Sequence, residues 1–229
     1  ENMSDLIKRH PDASLYQSHF NYIDHKGAII RVCQKMPESI DVATFFRGEV
    51  LQEIDSMGTG YMFKSSVYDK LGGIPVDFPN LIFADYSLWM QLIASSYLAV
   101  CSDVCFEYRI HNSVSKKTDG ENYAEAFGKY VEFLIELSKS HSELKIELEK
   151  YGADFIMYFC ESLSHRILKT DEHNRKRTVR DHIRNCRKYA SLVAPQKSFR
   201  PLRKPKILAA LVIDQSRLSR LLFRKLKGL

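Results

Sequence analysis

The apolar positions of this chain follow two rhythms, and the change between them falls near Gly120. Before it, short apolar runs are broken by turn residues. Residues 3–10 read as the last turns of a helix stopped by Pro11, because proline disfavours helix at the residue before it. Tyr16, Phe20 and Tyr22 stand on alternate positions of Ser14–Tyr22, as a strand requires. Asp24-His25-Lys26-Gly27 is turn chemistry, and Ala28–Cys33 reads as the returning strand. Val42–Leu51 suggests a short helix with Phe45, Phe46 and Val50 on one face, although the pattern over 34–57 is weak. Tyr61–Lys64 reads as a short strand, followed by a helix capped by Ser65 or Ser66 and stopped at Gly72-Gly73. After a loop over 74–82, a second helix starts near Asp85 and carries Leu88, Trp89, Leu92 and Ile93 as one stripe. Tyr97–Cys101 and Val104–Tyr108 read as two short strands, and 111–120 as a polar loop.

Beyond Gly120 only the helical period persists. It runs through Tyr123, Phe127, Tyr130, Val131, Leu134 and Leu137, then Phe155, Tyr158, Phe159, Leu163 and Ile167, then Val179, Ile183, Cys186 and Tyr189. That predicts a bundle of about three or four helices. Pro195, Pro201 and Pro205 mark a basic linker before a last helix over Ile207–Leu226. The expected fold is therefore α/β, a mixed sheet with helices over 1–120. An all-α extension follows, as a bundle over 121–194 and a basic linker with an amphipathic helix over 195–229.

Charge sharpens that division. The net +6 splits into −4 over residues 1–120 (11 Lys+Arg, 15 Asp+Glu) and +10 over 121–229 (23 and 13). Segment 197–229 holds ten of those cations against the single acid Asp214. With leucines interleaved, it suits either an anionic bilayer or packing on the bundle. Nucleic acid is not an expected partner, since no stacking module or motif accompanies the charge. No apolar run approaches the roughly 20 residues of a membrane span, and the first residues are too polar for a secretory signal. The chain lacks an initiator Met, so its start reads as an internal point of a longer protein. Five scattered cysteines with no CxxC pair read as buried free thiols in a reducing cytoplasm, not as a zinc site.

Four segments in order carry a resemblance: Gly58-x-Gly60 before a strand, Leu71-Gly72-Gly73 after a helix, Ala84-Asp85-Tyr86-Ser87-Leu88-Trp89, and Tyr108-Arg109-Ile110-His111-Asn112-Ser113-Val114-Ser115. Together they resemble the family-2 glycosyltransferases of the GT-A fold. The upstream stretch Asp12–Gly27 is similar to the family's segment ending in an Ile-Asp-x-x-Gly turn. The resemblance covers residues 1 to about 118, the C-terminal, acceptor-side half of a GT-A domain. Two departures stand out: Ala84 occupies a position commonly held by glutamate, and no Asp-x-Asp occurs in the chain. The nucleotide-binding half that would carry that motif is expected elsewhere, and the chain alone is expected to be inactive.

The resemblance implies an inverting transfer of sugar from a nucleotide-diphosphate sugar to the hydroxyl of a glycan or lipid-linked acceptor. The setting it implies is bacterial surface polysaccharide synthesis, in the cytoplasm at the inner face of the membrane. Asp85 becomes the base that deprotonates the acceptor; the alternative is an ordinary N-cap. A divalent ion, Mg or Mn, is implied with the donor, its main ligands in the N-terminal half and His111 completing or approaching the site. Arg109 is a candidate for phosphate oxygens, or a structural partner of Asp103 or Glu107. Gly58 and Gly60 would let backbone approach the sugar, or are plain turn residues. Trp89 would stack on a sugar, or pack in the core.

Overall fold

The computed structural model describes residues 3–56, 59–110 and 119–228. The chain divides into two compact units: Glu1–Asp77, Phe83–Ser113 and Leu137–Glu147 form the first; Phe78–Ile82, Val114–Glu136 and Leu148–Leu229 form the second.

Unit 1 contains a mixed sheet with helices. Its elements are α1 (Met3–Arg9), β1 (Leu15–Ile23), β2 (Ile29–Val32), β3 (Ser39–Ile40), α2 (Val42–Leu51), β4 (Tyr61–Phe63), α3 (Ser65–Lys70), α4 (Ala84–Ser95) and β5 (Leu98–Arg109). The strand order is β2-β1-β5-β3, with β4 also paired to β1. β1 and β5 run parallel and every other pair is antiparallel. β1 is thus central, and Leu15 through Phe20 are all buried, including Gln17, Ser18 and His19. The alternation read from its aromatics is therefore only half the pattern: a strand flanked on both edges and covered on both faces buries successive side chains. The Asp24 turn forms as its residues dictate. The Asp24 carboxylate accepts from the amides of Lys26 and Ala28 at 2.8 and 2.9 Å, and Gly27 takes φ +89°. β2, which follows, exposes all four residues.

One expectation is corrected. The two short strands anticipated over 97–108 are a single strand, β5. Its register against β1 jumps between Ser18 and His19 and again between His19 and Phe20. The polar Ser102-Asp103 pair that looked like a break is extra length absorbed as a bulge in a continuous strand.

Unit 2 is helical. It takes most of α5 (Gly120–Ser138) and α6 (Ser142–Lys169), with α7 (Val179–Val193), α8 (Pro205–Ile213) and α9 (Arg217–Leu226). Phe127 stacks on Phe159 at 4.7 Å, and Phe155 and Tyr130 extend the aromatic core. Thr178 and Asp181 form a reciprocal capping box at the start of α7. The basic segment after Pro195 falls in this same unit. Ile207 and Ala210 of α8 are fully buried, and the buried Asp214 ion-pairs with Arg175 and accepts from the Val179 amide at 2.7 Å. Among the described residues, no helix is long and apolar enough to cross a membrane.

Gly120, the residue at which the rhythm changes, is fixed by packing. A Cβ there would sit 2.7 Å from the Ile167 amide nitrogen and 2.8 Å from the Arg166 carbonyl carbon, both main-chain atoms of α6. Helix backbone cannot step aside as a side-chain tip can. Gly120→Ala is expected to destabilise unit 2 by about 1–3 kcal/mol, read as a lower urea midpoint. An unchanged midpoint would mean that α5 and α6 are less tightly apposed.

Candidate active site

The approach to α4 is strained. Asn80, Leu81 and Phe83 all have φ between +53° and +68°, a region that non-glycine residues rarely adopt. Phe83 is the N-cap and makes no side-chain capping bond. Asp85 is therefore not the cap, the ordinary use considered for it, but lies inside the first turn. Its Oδ1 accepts from the Tyr86 amide at 2.9 Å. The side chain is half-buried, and burial raises its pKa above the usual carboxylate value, outweighing the lowering by backbone hydrogen bonds. Leu88, Trp89, Leu92 and Ile93 anchor the helix in the core.

A second carboxylate comes from α2. Asp41 caps this helix by accepting from the Thr44 amide at 2.7 Å. At the other end Gln52 turns left-handed, and the amide of Glu53 returns to the Gly48 carbonyl at 2.7 Å. Gly48 leaves room for this reversal: a Cβ there would lie 2.3 Å from Ile54 Cδ1. The reversal carries Ser56 back to Glu49, whose Oε1 accepts from Ser56 Oγ at 2.5 Å. Glu49 also hydrogen-bonds the Tyr86 side chain. It keeps a partly exposed surface, yet dense surroundings push its pKa up to about 7, with the charges of Asp55 and Asp85 adding to the effect of burial.

Asp55 differs. Burial would raise its pKa, but the hydrogen bonds of Arg31, the Gln34 amide and Tyr22 together hold it below the usual value. Arg31 binds it bidentately at 2.8 and 3.0 Å, the Gln34 amide at 2.7 Å and the Tyr22 hydroxyl at 2.8 Å. The Arg31 guanidinium also lies 3.8 Å from the Tyr22 ring centroid. Asp55 is thus a fixed, fully engaged anion, whereas Asp85 and Glu49 are the carboxyls suited to carry protons. The Asp85 charge also helps to hold the proton on Glu49.

A pH prediction follows for Glu49. Between its usual pKa of 4.5 and about 7, the folded chain keeps a proton that the unfolded chain has lost. Stability therefore falls as pH rises through that window and levels off above it. Glu49→Gln should remove this slope and leave the variant about 1–3 kcal/mol more stable than the parent at pH 8. Urea midpoints measured from pH 4.5 to 8 check this; parallel pH profiles would show that Glu49 is ordinarily acidic.

The other residues anticipated for the site fare differently. Trp89 is 5% exposed, stacks on Tyr61 at 4.6 Å and leans on Tyr86 at 5.0 Å. It is a core residue, the packing alternative of the sequence reading, because its ring faces are taken by neighbours on the buried side of α4. Gly60 has φ +80°, and a Cβ there would meet the Phe106 ring at 2.2 Å, so ring and turn geometry account for it. Arg109 is exposed and donates from Nη1 to the Asp24 carbonyl at 2.7 Å, tying the end of β5 to the Asp24 turn. Gly58 and His111, with most of the 111–120 loop, lie outside the described residues.

Among the described residues, the carboxylates of Glu49, Asp55 and Asp85 do not form a cluster tight enough for an ion. The grouping that does is Cys160, His182 and Cys186 in unit 2, whose ligand atoms lie within 4.8 Å of one another. Nitrogen and sulfur donors suit neither Mg nor Mn. This trio is therefore not a site for the implied Mg or Mn. Glu49 escaped the sequence reading because it lies 36 residues from Asp85 in a weakly patterned stretch. The available signal was an acid on the same helical face as Phe45 and Phe46. No protein-family model, no curated protein and no solved structure matches the chain.

Proposed function

We propose that unit 1 is the acceptor-side portion of an inverting, GT-A-type glycosyltransferase that moves a sugar from a nucleotide-diphosphate sugar to an acceptor hydroxyl. The observation that carries the reading is Asp85: a half-buried carboxylate of raised basicity that does not cap its helix, two residues after the left-handed Phe83, beside a second carboxyl whose pKa is pushed up to about 7. The order of glycine, Ala-Asp-Tyr and Tyr-Arg-x-His segments along the chain supports the same reading. In the transfer, Asp85 takes the proton of the acceptor hydroxyl as its oxygen attacks the anomeric carbon. The bond to the diphosphate breaks, and the nucleoside diphosphate leaves with the electron pair. Glu49, bonded to Ser56 and Tyr86, fixes the Tyr86 side chain next to Asp85 and adds no charge that would repel the departing anion. In this proposal Mg or Mn belongs to the nucleotide-binding half of the domain, and no step is assigned to it here.

The test is acceptor-dependent release of nucleoside diphosphate by the full-length protein across UDP-, GDP- and TDP-sugars with glycan and lipid-linked acceptors. Failure to bind any such donor would overturn the reading.

A second reading concerns the tail, and α9 favours it. Arg220 and Arg224 pair with Glu172 and Asp171 at 2.8 and 2.9 Å. Leu218, Leu222 and Leu226, one helical turn apart, are 67%, 55% and 86% exposed. With Arg217, Lys225 and Lys227 exposed beside them, this face suits the surface of an anionic bilayer, where a lipid-linked acceptor would lie. Flotation with phosphatidylglycerol vesicles should be salt-sensitive and lost in Leu218→Asp/Leu222→Asp. Equal flotation of that variant would remove α9 from the contact.

A further inference from the structure

We infer that Cys160, His182 and Cys186 form a structural binding site for one thiophilic d10 cation, Zn(II) or Cu(I), inside unit 2. Such a site would exist whether or not the chain transfers sugar.

His182 and Cys186 lie four residues apart on α7, so both project from one face of the helix toward Cys160 on α6. All three are buried, with exposures of 0%, 2% and 1% for Cys160, His182 and Cys186. The Cys186 Sγ to His182 Nε2 separation is 3.5 Å. A tetrahedral ion with metal–sulfur and metal–nitrogen bonds of about 2.3 and 2.0 Å spaces such a pair about 3.5 Å apart. Two helices of 28 and 15 residues hold the donors, so little ordering remains to be done on binding.

The surroundings match what a metal-bound histidine needs. The His182 ring hydrogen-bonds the main chain of Phe159 and Cys160. A ligating imidazole commonly donates its other N–H to such a carbonyl, which fixes the ring's tautomer and aim. The Cys160 carbonyl is itself held by Ser164 Oγ at 2.6 Å. Burial keeps the imidazole neutral, its metal-binding form, with a pKa lowered to about 4. In the metal-free chain the Cys186 thiol hydrogen-bonds Cys160. On ligation the ion replaces the proton of each thiol, and both protons pass to solvent. Two thiolates then donate electron pairs to the ion, with no change of oxidation state. Zn(II) with two thiolates and a neutral imidazole leaves no net charge in the core, which burial favours. Cu(I) leaves one negative charge but is satisfied by three soft ligands and needs no solvent position.

The experiment uses the whole chain, stripped of metal under reducing conditions. Co(II), a spectroscopic stand-in for Zn(II), should produce thiolate-to-cobalt charge-transfer absorption saturating at one ion per chain, and Zn(II) should displace it. A Cu(I) titration against a chromogenic chelator forms the other arm and decides between the ions. Cys160→Ser/Cys186→Ser should weaken binding by about 100-fold or more, while Cys33→Ser/Cys101→Ser/Cys105→Ser should bind like the parent. Should the double variant fail to fold, X-ray absorption of the metal-loaded parent decides the matter. Two sulfurs and one imidazole nitrogen around the ion support the site, and a shell without sulfur overturns it. Undiminished affinity in the folded double variant, or no stoichiometric binding of either ion by the parent, also overturns it.

Discussion

Asp85→Asn in the full-length protein is expected to cut sugar transfer by about 10²- to 10⁴-fold, the usual contribution of a positioned general base. That corresponds to roughly 3–5 kcal/mol on the barrier. The substitution is close to isosteric. The carboxamide oxygen still accepts from the Tyr86 amide, and neither the Phe83 cap nor the buried stripe of α4 is disturbed. What is lost is the capacity to take a proton. Donor affinity should stay nearly unchanged, because the proposed transfer uses Asp85 only on the acceptor side. The pH profile gives a second handle. Burial raises the Asp85 pKa, so its base form is lost at a higher pH than for an exposed aspartate. The acid limb of the rate should lie correspondingly high and vanish from the residual activity of the variant. Turnover at the parental rate would remove Asp85 from the mechanism.

Asp214→Ala is expected to cost about 3–5 kcal/mol of stability, the largest such effect anticipated for a single side chain here. The Asp214 side chain is only 3% exposed and that of its partner Arg175 only 8%. Removing the carboxylate strands a guanidinium in the interior and leaves the Val179 amide, at the first turn of α7, without its acceptor. Arg220 lies 3.9 Å from the same carboxylate and donates to the Asp214 carbonyl at 3.0 Å, so the attachment of α9 should loosen as well. Chemical denaturation followed by helical circular dichroism reads this. Lys206→Ala provides the contrast: its 3.0 Å pair with Glu161 is 72% exposed on the lysine side, and the loss should stay below about 1 kcal/mol. Equal losses in the two variants would refute a special role for the buried pair.

These expectations show where residue pattern suffices. The Asp24 turn, the helix over 42–51, the strand at Tyr61 and the long helical extension are all legible along the chain. Each depends on neighbours a few residues apart: a carboxylate reaching two amides, a capping aspartate, a glycine at positive φ, apolar side chains three and four apart. The passage from sheet to bundle at Gly120 is visible as a change of period. Asp85 was found by its place in an ordered set of segments, and its setting at the head of an apolar helix could be anticipated.

Tertiary structure alone decided the rest, because the deciding partners are distant in sequence. Glu49 reaches the Asp85 neighbourhood only when the reversal at Gly48 and Ile54 brings Ser56 back and α2 packs on α4. The continuity of β5 is set by its register against β1, some eighty residues earlier. Trp89 proved to be core because Tyr61 arrives over its ring. Cys160 joins His182 and Cys186 only across two packed helices, which is why cysteine spacing gave no hint of a metal site. Asp214, a lone acid in a basic tail, became a buried keystone through Arg175, 39 positions away. Local chemistry determines which turns and helices form; which charges are buried, and beside what, is set by packing between segments whose separation leaves no periodic trace.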